Sequence, residues 1–156
     1  MLNIRQDFKD LLHEFNTHGV EFIIVGAHAL AAHGLSRATE DFDVWIRPNP
    51  TNAKHVLAAL KSFGAPLHSL TEKDLSKGGL IFQIGVKPIR IDIITSIDGV
   101  SFNEAWSKKV KSRLGNERGN VLSYKHLIIN KSSTGRPKDL LDVEWLQRNK
   151  PKKKKS

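Results

Sequence analysis

The chain has 156 residues, of which 39% are hydrophobic and 26% are charged, and this balance excludes a disordered or a membrane-embedded protein. There is no cysteine, which excludes a disulfide framework and thiolate metal sites and favours a reducing compartment. No apolar run approaches the ~20 residues that span a bilayer, and the N-terminus has no apolar signal segment. We therefore expect one soluble, cytoplasmic domain that makes no membrane contact.

The net charge of +9 is concentrated at the C-terminus. Six positive charges lie within residues 148–155, where there is no acid, so residues 1–147 keep only +3 of the +9. We predict a folded domain over residues 1–147 and a basic, disordered tail over residues 148–156. The alternative is that the tail binds nucleic-acid phosphates loosely, in a way that salt weakens.

Apolar periodicity and breaker residues predict the elements of the first half of the chain. They are a helix that ends at Gly19, a strand over residues 20–25, a short helix over residues 27–33, a strand over residues 43–47 and a helix over residues 49–64. The last of these helices begins with Asn49 as its N-cap and a proline in its first turn.

The second half is predicted to contain a hairpin, a polar loop and three helices. A hairpin over residues 80–95 precedes a short helix over residues 102–109, a polar loop over residues 115–120, a helix over residues 123–131 and a last helix from Pro137. The expected apolar face of the last helix consists of Leu140, Leu141, Val143, Trp145 and Leu146. This order of elements predicts an α/β (α+β) domain in which a mixed β-sheet is flanked by helices.

Three aspartates have the spacing of a metal-binding cluster. Side chains alternate along a strand, so Asp41 and Asp43 share one face, and Asp92 lies in the second strand of the hairpin. If these strands are neighbours, the carboxylates converge, and such oxygen ligands suit Mg²⁺ or Mn²⁺. Two such ions can stabilise an in-line displacement at phosphorus. The alternative is that Asp41 begins a turn and the other two acids form surface salt bridges.

A phosphate site is expected where the strand over residues 20–25 meets the next helix. Gly26 lets the backbone approach a ligand, and the helix that follows from Ala27 presents free N–H groups and the positive end of its dipole. The alternative is that Gly26 only forms a tight turn. The sequence has neither a Walker-type nor a Rossmann-type glycine motif, so those two classes of nucleotide site have no support.

The succession of a glycine, a short helix and an Asp-x-Asp over residues 26–43 resembles the DNA polymerase β-like nucleotidyltransferase superfamily. The segment around Asp92 is similar to the strand that carries its third carboxylate. Lys131 and residues 135–139 resemble the C-terminal lysine region of small bacterial and archaeal members, some of which are toxins of type IV toxin–antitoxin systems. The resemblance covers residues 20–146. It departs from the superfamily at Ala27, where a serine or second glycine would stand, so no hydroxyl is available there for phosphate.

The resemblance implies a nucleotidyltransferase fold and a metal-dependent enzyme that moves a nucleoside monophosphate from an NTP to an acceptor and releases pyrophosphate. The implied catalytic and metal-binding residues are Asp41, Asp43 and Asp92, with Mg²⁺ or Mn²⁺ as the cofactor. The implied nucleotide-binding residues are Gly26, Ala27, Ser36, Arg37 and Lys131. The implied acceptor is an RNA or tRNA end, a protein hydroxyl or a small molecule, and an antitoxin protein is an implied partner.

Two other functions stay open from the sequence. One is a catalytically silent member of the fold that binds a nucleotide or a partner, which Ala27 favours. The other is a basic nucleic-acid-binding module whose chief contacts are the tail and residues 136–138.

The basic and hydroxyl side chains near the expected site have more than one interpretation. Arg37 either binds a phosphate or forms a bridge to Asp41. Lys131 is either a contact to the β- or γ-phosphate or a solvated lysine at a helix end. Ser36 is the hydroxyl that would replace the one absent at Ala27, if its loop reaches the phosphate.

Aromatic and C-terminal acidic residues are expected to have mainly structural roles. Trp45 either stacks on a base or belongs to the core, and Trp145 is expected in the core. His33 is expected to pack or to form a hydrogen bond at a helix end rather than to act as a base. Asp139 and Asp142 are three residues apart, so one of them is expected to hold a basic residue rather than a metal ion.

Overall fold

The computed structural model describes residues 5–36, 41–86 and 89–151. Its helices are α1 (Gln6–Thr17), α2 (Gly26–Ala32), α3 (Pro50–Phe63), α4 (Glu72–Leu75), α5 (Phe102–Lys108), α6 (Tyr124–Thr134) and α7 (Pro137–Arg148). Its strands are β1 (Phe22–Val25), β2 (Asp41–Ile46), β3 (Ile81–Val86), β4 (Ile89–Ile94), β5 (Val110–Leu114) and β6 (Glu117–Val121).

The strands form one six-stranded mixed sheet in the order β3-β4-β2-β1-β6-β5. Strand β1 pairs with β2 in the antiparallel direction and with β6 in the parallel direction, while β2 and β4 are parallel. The β3–β4 and β5–β6 hairpins are antiparallel and form the two edges. The predicted mixed sheet flanked by helices is therefore confirmed.

The central strands follow from their apolar sequences. All four residues of β1 are buried, as expected for a strand with a neighbour on each side. In β2, Phe42 and Val44 are buried, whereas Asp41 and Asp43 point to the other face and are partly exposed. Helix α2 packs on β1 and β2, and helices α1 and α3 pack against each other. The acids therefore lie on a strand that the core anchors from its opposite face.

The predicted helix boundaries are set by capping side chains and glycine. Asn49 accepts a hydrogen bond from the N–H of Asn52 at 2.8 Å, and Gly64 ends α3 with a φ of +89°. Ser123 caps α6 by accepting a bond from the N–H of His126 at 3.2 Å. These local signals place α3 and the start of α6 where the sequence predicts them. Helix α6 continues to Thr134, three residues beyond its predicted end at residue 131.

The prediction of a polar loop over residues 115–120 is wrong, because this segment forms the turn and second strand of the β5–β6 hairpin. Leu114 and Val121 are buried, and Gly119 lies so close to the side chain of Ile24 that a larger residue would crowd it. Pairing with β5 thus makes a strand from a segment whose own sequence is mostly polar, and β1 pairs with the end of this strand at Val121. A short helix, α4, which the sequence prediction omits, is held by a capping box between Thr71 and Asp74.

The predicted apolar face of α7 is wrong at Leu140 and Leu141, which are 47% and 66% exposed. Val143 is buried as predicted. Asp139 and Asp142 take the inward positions in place of the two leucines, and both are almost fully buried. A buried acid needs a partner, and both acids find one on α6.

None of the helices in the described residues is long and apolar enough to cross a membrane. Helix α7 continues through Arg148, and residues 152–156 lie outside the described part of the chain. The boundary between the domain and the basic tail stays a prediction.

Candidate functional site

The parallel pairing of β2 with β4 brings the acidic residues of the two strands together. Its register sets Asp43 opposite Asp92 and Asp41 opposite Arg90. The Asp43 carboxyl donates a hydrogen bond to the side chain of Asp92. Two acids that are 49 residues apart in the chain therefore lie side by side, with Asp41 two residues along the same strand face.

A guanidinium group bridges this acidic cluster. Arg90 donates from Nε to Asp92 Oδ1 at 2.9 Å and from Nη2 to Asp92 Oδ2 at 3.3 Å. The same Nη2 donates to Asp41 Oδ2 at 3.3 Å. Arg90 lies two residues before Asp92 on the same strand, which puts both side chains on one face, but no motif in the sequence marks Arg90 as a site residue.

Arg90 only partly balances the negative charge around Asp43. The pKa of Asp43 is raised to about 7, first by burial and then by the charges of Asp92 and Asp41 and the bond to Asp92, against the lowering effect of Arg90. Asp43 thus holds its proton more tightly than an exposed aspartate does. Such a cluster would accept an additional cation.

Gly26 allows the Asp43 carboxylate to lie against the start of α2. Its φ is +69°, a conformation that residues with a side chain rarely adopt, and an added Cβ would collide with the Asp43 carboxylate. From the sequence, a glycine is expected here because it lets a phosphate approach the backbone. The structure adds a second reason, which is the approach of Asp43 itself.

His28 fixes the backbone at the start of β2. It is buried on α2, and its ring packs edge-on against Phe8 and Phe42, with centroid distances of 5.5 and 5.0 Å. Burial lowers the pKa of His28, and its ring donates a hydrogen bond to the backbone of Asp41. His28 is therefore a neutral positioning residue for Asp41, a role that no sequence signal indicated.

A cleft of about 560 Å³ opens above the acids. One part of its wall is apolar and consists of Val25, Leu30, Ile81, Ile94 and Ile97. The polar part consists of Asp41, Asp43, Ser96, Asp98, Asn130, Lys131, Thr134, Arg136, Lys138 and Asp139, and Gly26 and Ala27 lie at the start of α2. Asp92 is 8% exposed and is not part of the cleft wall, but it is hydrogen-bonded to Asp43, which is.

Lys131 lines the cleft but is held by acids of α7. Its Nζ lies 3.1 Å from Asp139 Oδ1 and 3.2 Å from Asp142 Oδ2, and only 12% of its side chain is exposed. Asp139 also accepts bonds from Thr134 Oγ1 at 2.6 Å and from Arg136 Nε at 2.7 Å. The prediction that an acid of α7 holds a basic residue is confirmed. The alternative in which Lys131 is a solvated helix-end lysine is wrong.

Other residues singled out from the sequence lie away from the cleft. Ser36 is exposed and is not part of the cleft wall, and Arg37 lies outside the described residues. Trp45 is buried against Phe102, with a centroid distance of 5.0 Å, so it belongs to the core and offers no face to a base. His33 forms a hydrogen bond with the Leu122 carbonyl at 2.8 Å, as its structural interpretation predicts.

Two solved structures share this architecture. A crystal structure of a presumed nucleotidyltransferase from Thermotoga maritima aligns with 90% of this chain and 88% of its own, at 11% sequence identity and a TM-score of 0.58. The lincomycin-bound crystal structure of the lincosamide antibiotic adenylyltransferase LnuA aligns with 94% of this chain and 98% of its own, at 12% identity and a TM-score of 0.58. The chain has the nucleotidyltransferase fold.

The nucleotidyltransferase fold confirms the resemblance seen over residues 20–146. No protein-family profile and no curated protein matches the sequence. At 11% and 12% identity, the likeness to the two structures establishes the fold alone.

The donor atoms of the cleft in this nucleotidyltransferase fold suit a hard divalent cation. Asp41, Asp43 and Asp92 provide carboxylate oxygens, the ligands that Mg²⁺ and Mn²⁺ prefer. The pKa of Asp43 is raised by burial and by the two neighbouring acids, as expected where no cation balances their negative charge. Among the described residues, however, no three Asp, Glu, His or Cys side chains form a ready metal-binding group. Arg90 takes bonds of Asp41 and Asp92 that a metal ion would need.

Proposed function

We propose that the protein is a metal-dependent nucleotidyltransferase that moves a nucleoside monophosphate from an NTP to an acceptor. The observation that carries this proposal is the register of β2 and β4, which sets Asp92 beside Asp43, an acid that lines the cleft together with Gly26. The nucleotidyltransferase fold supports it, because relatives of that architecture include an antibiotic adenylyltransferase. The cleft volume of about 560 Å³ is in the range of small-ligand sites.

The proposed reaction is a displacement at the α-phosphorus. An acceptor oxygen forms a bond to this phosphorus, the bond to the β-phosphate oxygen breaks, and pyrophosphate leaves. Asp92 takes the proton of the acceptor, and Asp41, Asp43 and Asp92 together would hold Mg²⁺ or Mn²⁺. A bound divalent ion supplies the positive charge that the triphosphate requires. Arg90 holds Asp41 and Asp92 in place when no metal is bound.

The triphosphate is expected to meet Arg136 and Lys138 rather than the Nζ of Lys131. Both side chains are exposed and line the cleft, whereas Lys131 already contacts two buried acids. Arg136 is 73% exposed and keeps donors beyond the one it gives to Asp139. Lys131 then acts by holding α7, the helix that carries Lys138, in place. This role replaces the direct contact between Lys131 and the β- or γ-phosphate that the sequence predicts.

A catalytically silent, nucleotide-binding protein is the second candidate. Two features favour it: Ala27 offers no hydroxyl to a phosphate, and Arg90 already pairs with Asp41 and Asp92. Such a protein would bind an NTP without releasing pyrophosphate. An antitoxin or another protein partner would then bind selectively to the nucleotide-bound form.

Incubation with each α-labelled NTP, Mg²⁺ or Mn²⁺ and a cell extract tests the proposal and identifies the acceptor. Transfer of label to RNA, to a protein or to a small molecule distinguishes the three acceptor classes. Asp43→Asn should abolish transfer, whereas Asp74→Asn, the same change at an exposed acid on α4, should leave it intact. Nucleotide binding without label transfer or pyrophosphate release would establish the silent alternative. Absence of NTP binding would reject both.

A further inference from the structure

A second groove, on the β5–β6 hairpin, is lined by basic side chains. Lys111 and Arg113 occupy alternate positions of β5, so they share one face of this edge of the sheet, and Lys109 comes immediately before the strand. Arg118 on β6 stands directly opposite Arg113. The four side chains line a groove of about 810 Å³, which we call the hairpin groove.

The hairpin groove is separate from the acidic cleft. Its wall includes Gly19, Val20 and Glu21, which precede β1, whereas the cleft is lined by Val25 at the other end of that strand. Four residues of extended chain separate Glu21 from Val25, a distance of roughly 13 Å. A ligand in the hairpin groove therefore need not occupy the cleft.

In the part of the chain that the structure describes, the cations of the hairpin groove have no close carboxylate partner. Within residues 5–36, 41–86 and 89–151, no carboxylate lies within 4.0 Å of the amino or guanidinium nitrogens of Lys109, Lys111, Arg113 or Arg118. Glu21, the acid in the groove wall, is bound instead to Arg47 at 3.0 Å. The groove thus presents several positive charges to solvent.

The pairing of Arg113 with Arg118 is unfavourable for the isolated protein. Like charges directly opposite each other on neighbouring strands repel and destabilise a sheet. An anion placed between them would remove this cost. The Arg113–Arg118 pair therefore indicates an anionic ligand, and this indication does not depend on how many basic residues line the groove.

The aromatic residue of the groove has no face left for a base. Lys109 Nζ lies 3.9 Å from the centre of the Trp106 ring, and Phe102 stacks on the same indole at 5.6 Å. Recognition of a nucleic acid by base stacking therefore has no platform here. The available contacts are positive charges spaced ~7 Å apart along a strand, which suit successive phosphates.

We propose that the hairpin groove binds the phosphodiester backbone of a nucleic acid without preference for its sequence. Lys111 and Arg113 contact successive phosphates, and Arg118 shares one of them with Arg113. This binding requires neither an NTP nor a metal ion, so it stands whether or not the protein transfers nucleotides.

Fluorescence anisotropy of the full-length protein with labelled oligonucleotides of about 12 nucleotides, in EDTA, tests the proposal. Oligouridylate and oligothymidylate separate RNA from DNA. The test variant is Lys111→Gln/Arg113→Gln, and the control is Lys54→Gln/Lys61→Gln, which removes two equally exposed charges from α3. A further variant in which the four lysines of residues 152–155 are changed to glutamine isolates the tail.

The test variant should bind roughly 20-fold more weakly than wild type at 0.1 M salt, and the magnitude of the slope of log K against log salt should fall by about 1.4. The α3 control should leave that slope unchanged. Arg113→Gln alone should raise the melting temperature slightly, because it relieves repulsion from Arg118. Equal affinities for the test and control variants, or loss of binding on tail neutralisation alone, would overturn the proposal. Tighter binding of a polyglutamate peptide than of either oligonucleotide would also overturn it, in favour of an acidic protein partner.

Discussion

Gly26 and the carboxylate of Asp43 occupy adjoining space, and a methyl group on Gly26 would overlap that carboxylate. The contact joins the start of α2 to the acidic cluster. It depends on a glycine for two separate reasons, the absence of a side chain and a φ of +69°.

Gly26→Ala should therefore destabilise the protein by about 2–4 kcal/mol, the sum of the left-handed conformation and the collision with Asp43. Gly135→Ala is a matched control, since Gly135 has a φ of +68° and open space around its Cα, and it should cost only about 1–2 kcal/mol. Urea unfolding measures both changes. In an Asp43→Ala background the two alanine substitutions should cost the same, and a persistent difference would mean that the acid does not fill the space at Gly26.

The raised pKa of Asp43 makes the metal-free protein less stable as the pH rises. The folded state binds the Asp43 proton up to about pH 7, whereas the unfolded chain releases it near its ordinary value of 3.8. Between these values the folded state holds more protons, so the free energy of unfolding falls as pH increases, by a few kcal/mol at about 1.4 kcal/mol per pKa unit.

Asp43→Asn should remove most of this slope, and its stability relative to wild type in EDTA should be greater at about pH 8 than at about pH 5. Asp74→Asn is the control, because the Asp74 carboxylate is ionised in the folded and the unfolded protein across this pH range. Any change that this substitution makes in the free energy of unfolding should therefore be equal at the two pH values. If the stability of wild type and of Asp43→Asn changed equally with pH, the negative charges of the three acids would be balanced by the protein itself, without a metal ion.

The sequence predicts the acidic cluster well because its cause is local. Alternation along β2 and β4 fixes which side chains share a face, and two apolar strands of this kind readily become neighbours. The role of Arg90 follows from the same alternation, but its choice between solvent and the two acids depends on a strand 49 residues away. The sequence therefore indicates the position of Arg90 but not its partners.

The sequence fails where a distant contact decides the structure. Residues 115–120 are polar and contain two glycines, yet pairing with β5 turns part of them into β6, and pairing of Val121 with the distant Ile24 joins this hairpin to the sheet. On α7, two leucines are more apolar than Asp139 and Asp142, yet the acids are buried because Lys131 arrives from α6. Hydrophobic periodicity predicts burial from the polarity of each side chain alone. It cannot show that a basic residue on another helix will pair with a buried acid.

Arg90→Gln should expose the need of the cluster for a cation. Loss of the guanidinium removes its bonds to Asp41 and Asp92, which should destabilise the protein in EDTA at neutral pH. If the acids hold a divalent ion, Mn²⁺ should then raise the melting temperature of Arg90→Gln more than that of wild type, because no guanidinium competes with the metal.

Arg47→Gln is the control for this experiment, since Arg47 is about as buried as Arg90 and is also paired with a carboxylate. It should lose stability without any gain in its response to Mn²⁺. Equal responses of the two variants would show that the acids do not bind the ion.

Lys131→Met should be more destabilising than its place on the cleft wall suggests. Asp139 and Asp142 would stay buried with their nearest ammonium group removed, and breaking a buried ion pair in this way costs about 3–5 kcal/mol. Arg148→Met breaks an exposed pair with Glu144 on the same helix and should cost less than about 1 kcal/mol. Replacing Asp142 by Leu in the Lys131→Met protein should restore part of the loss, since an apolar pair then fills the space of the ion pair. Urea unfolding gives all three values. If Lys131→Met instead unfolds like wild type but loses NTP binding, Lys131 contacts the triphosphate directly and its bonds to α7 are dispensable.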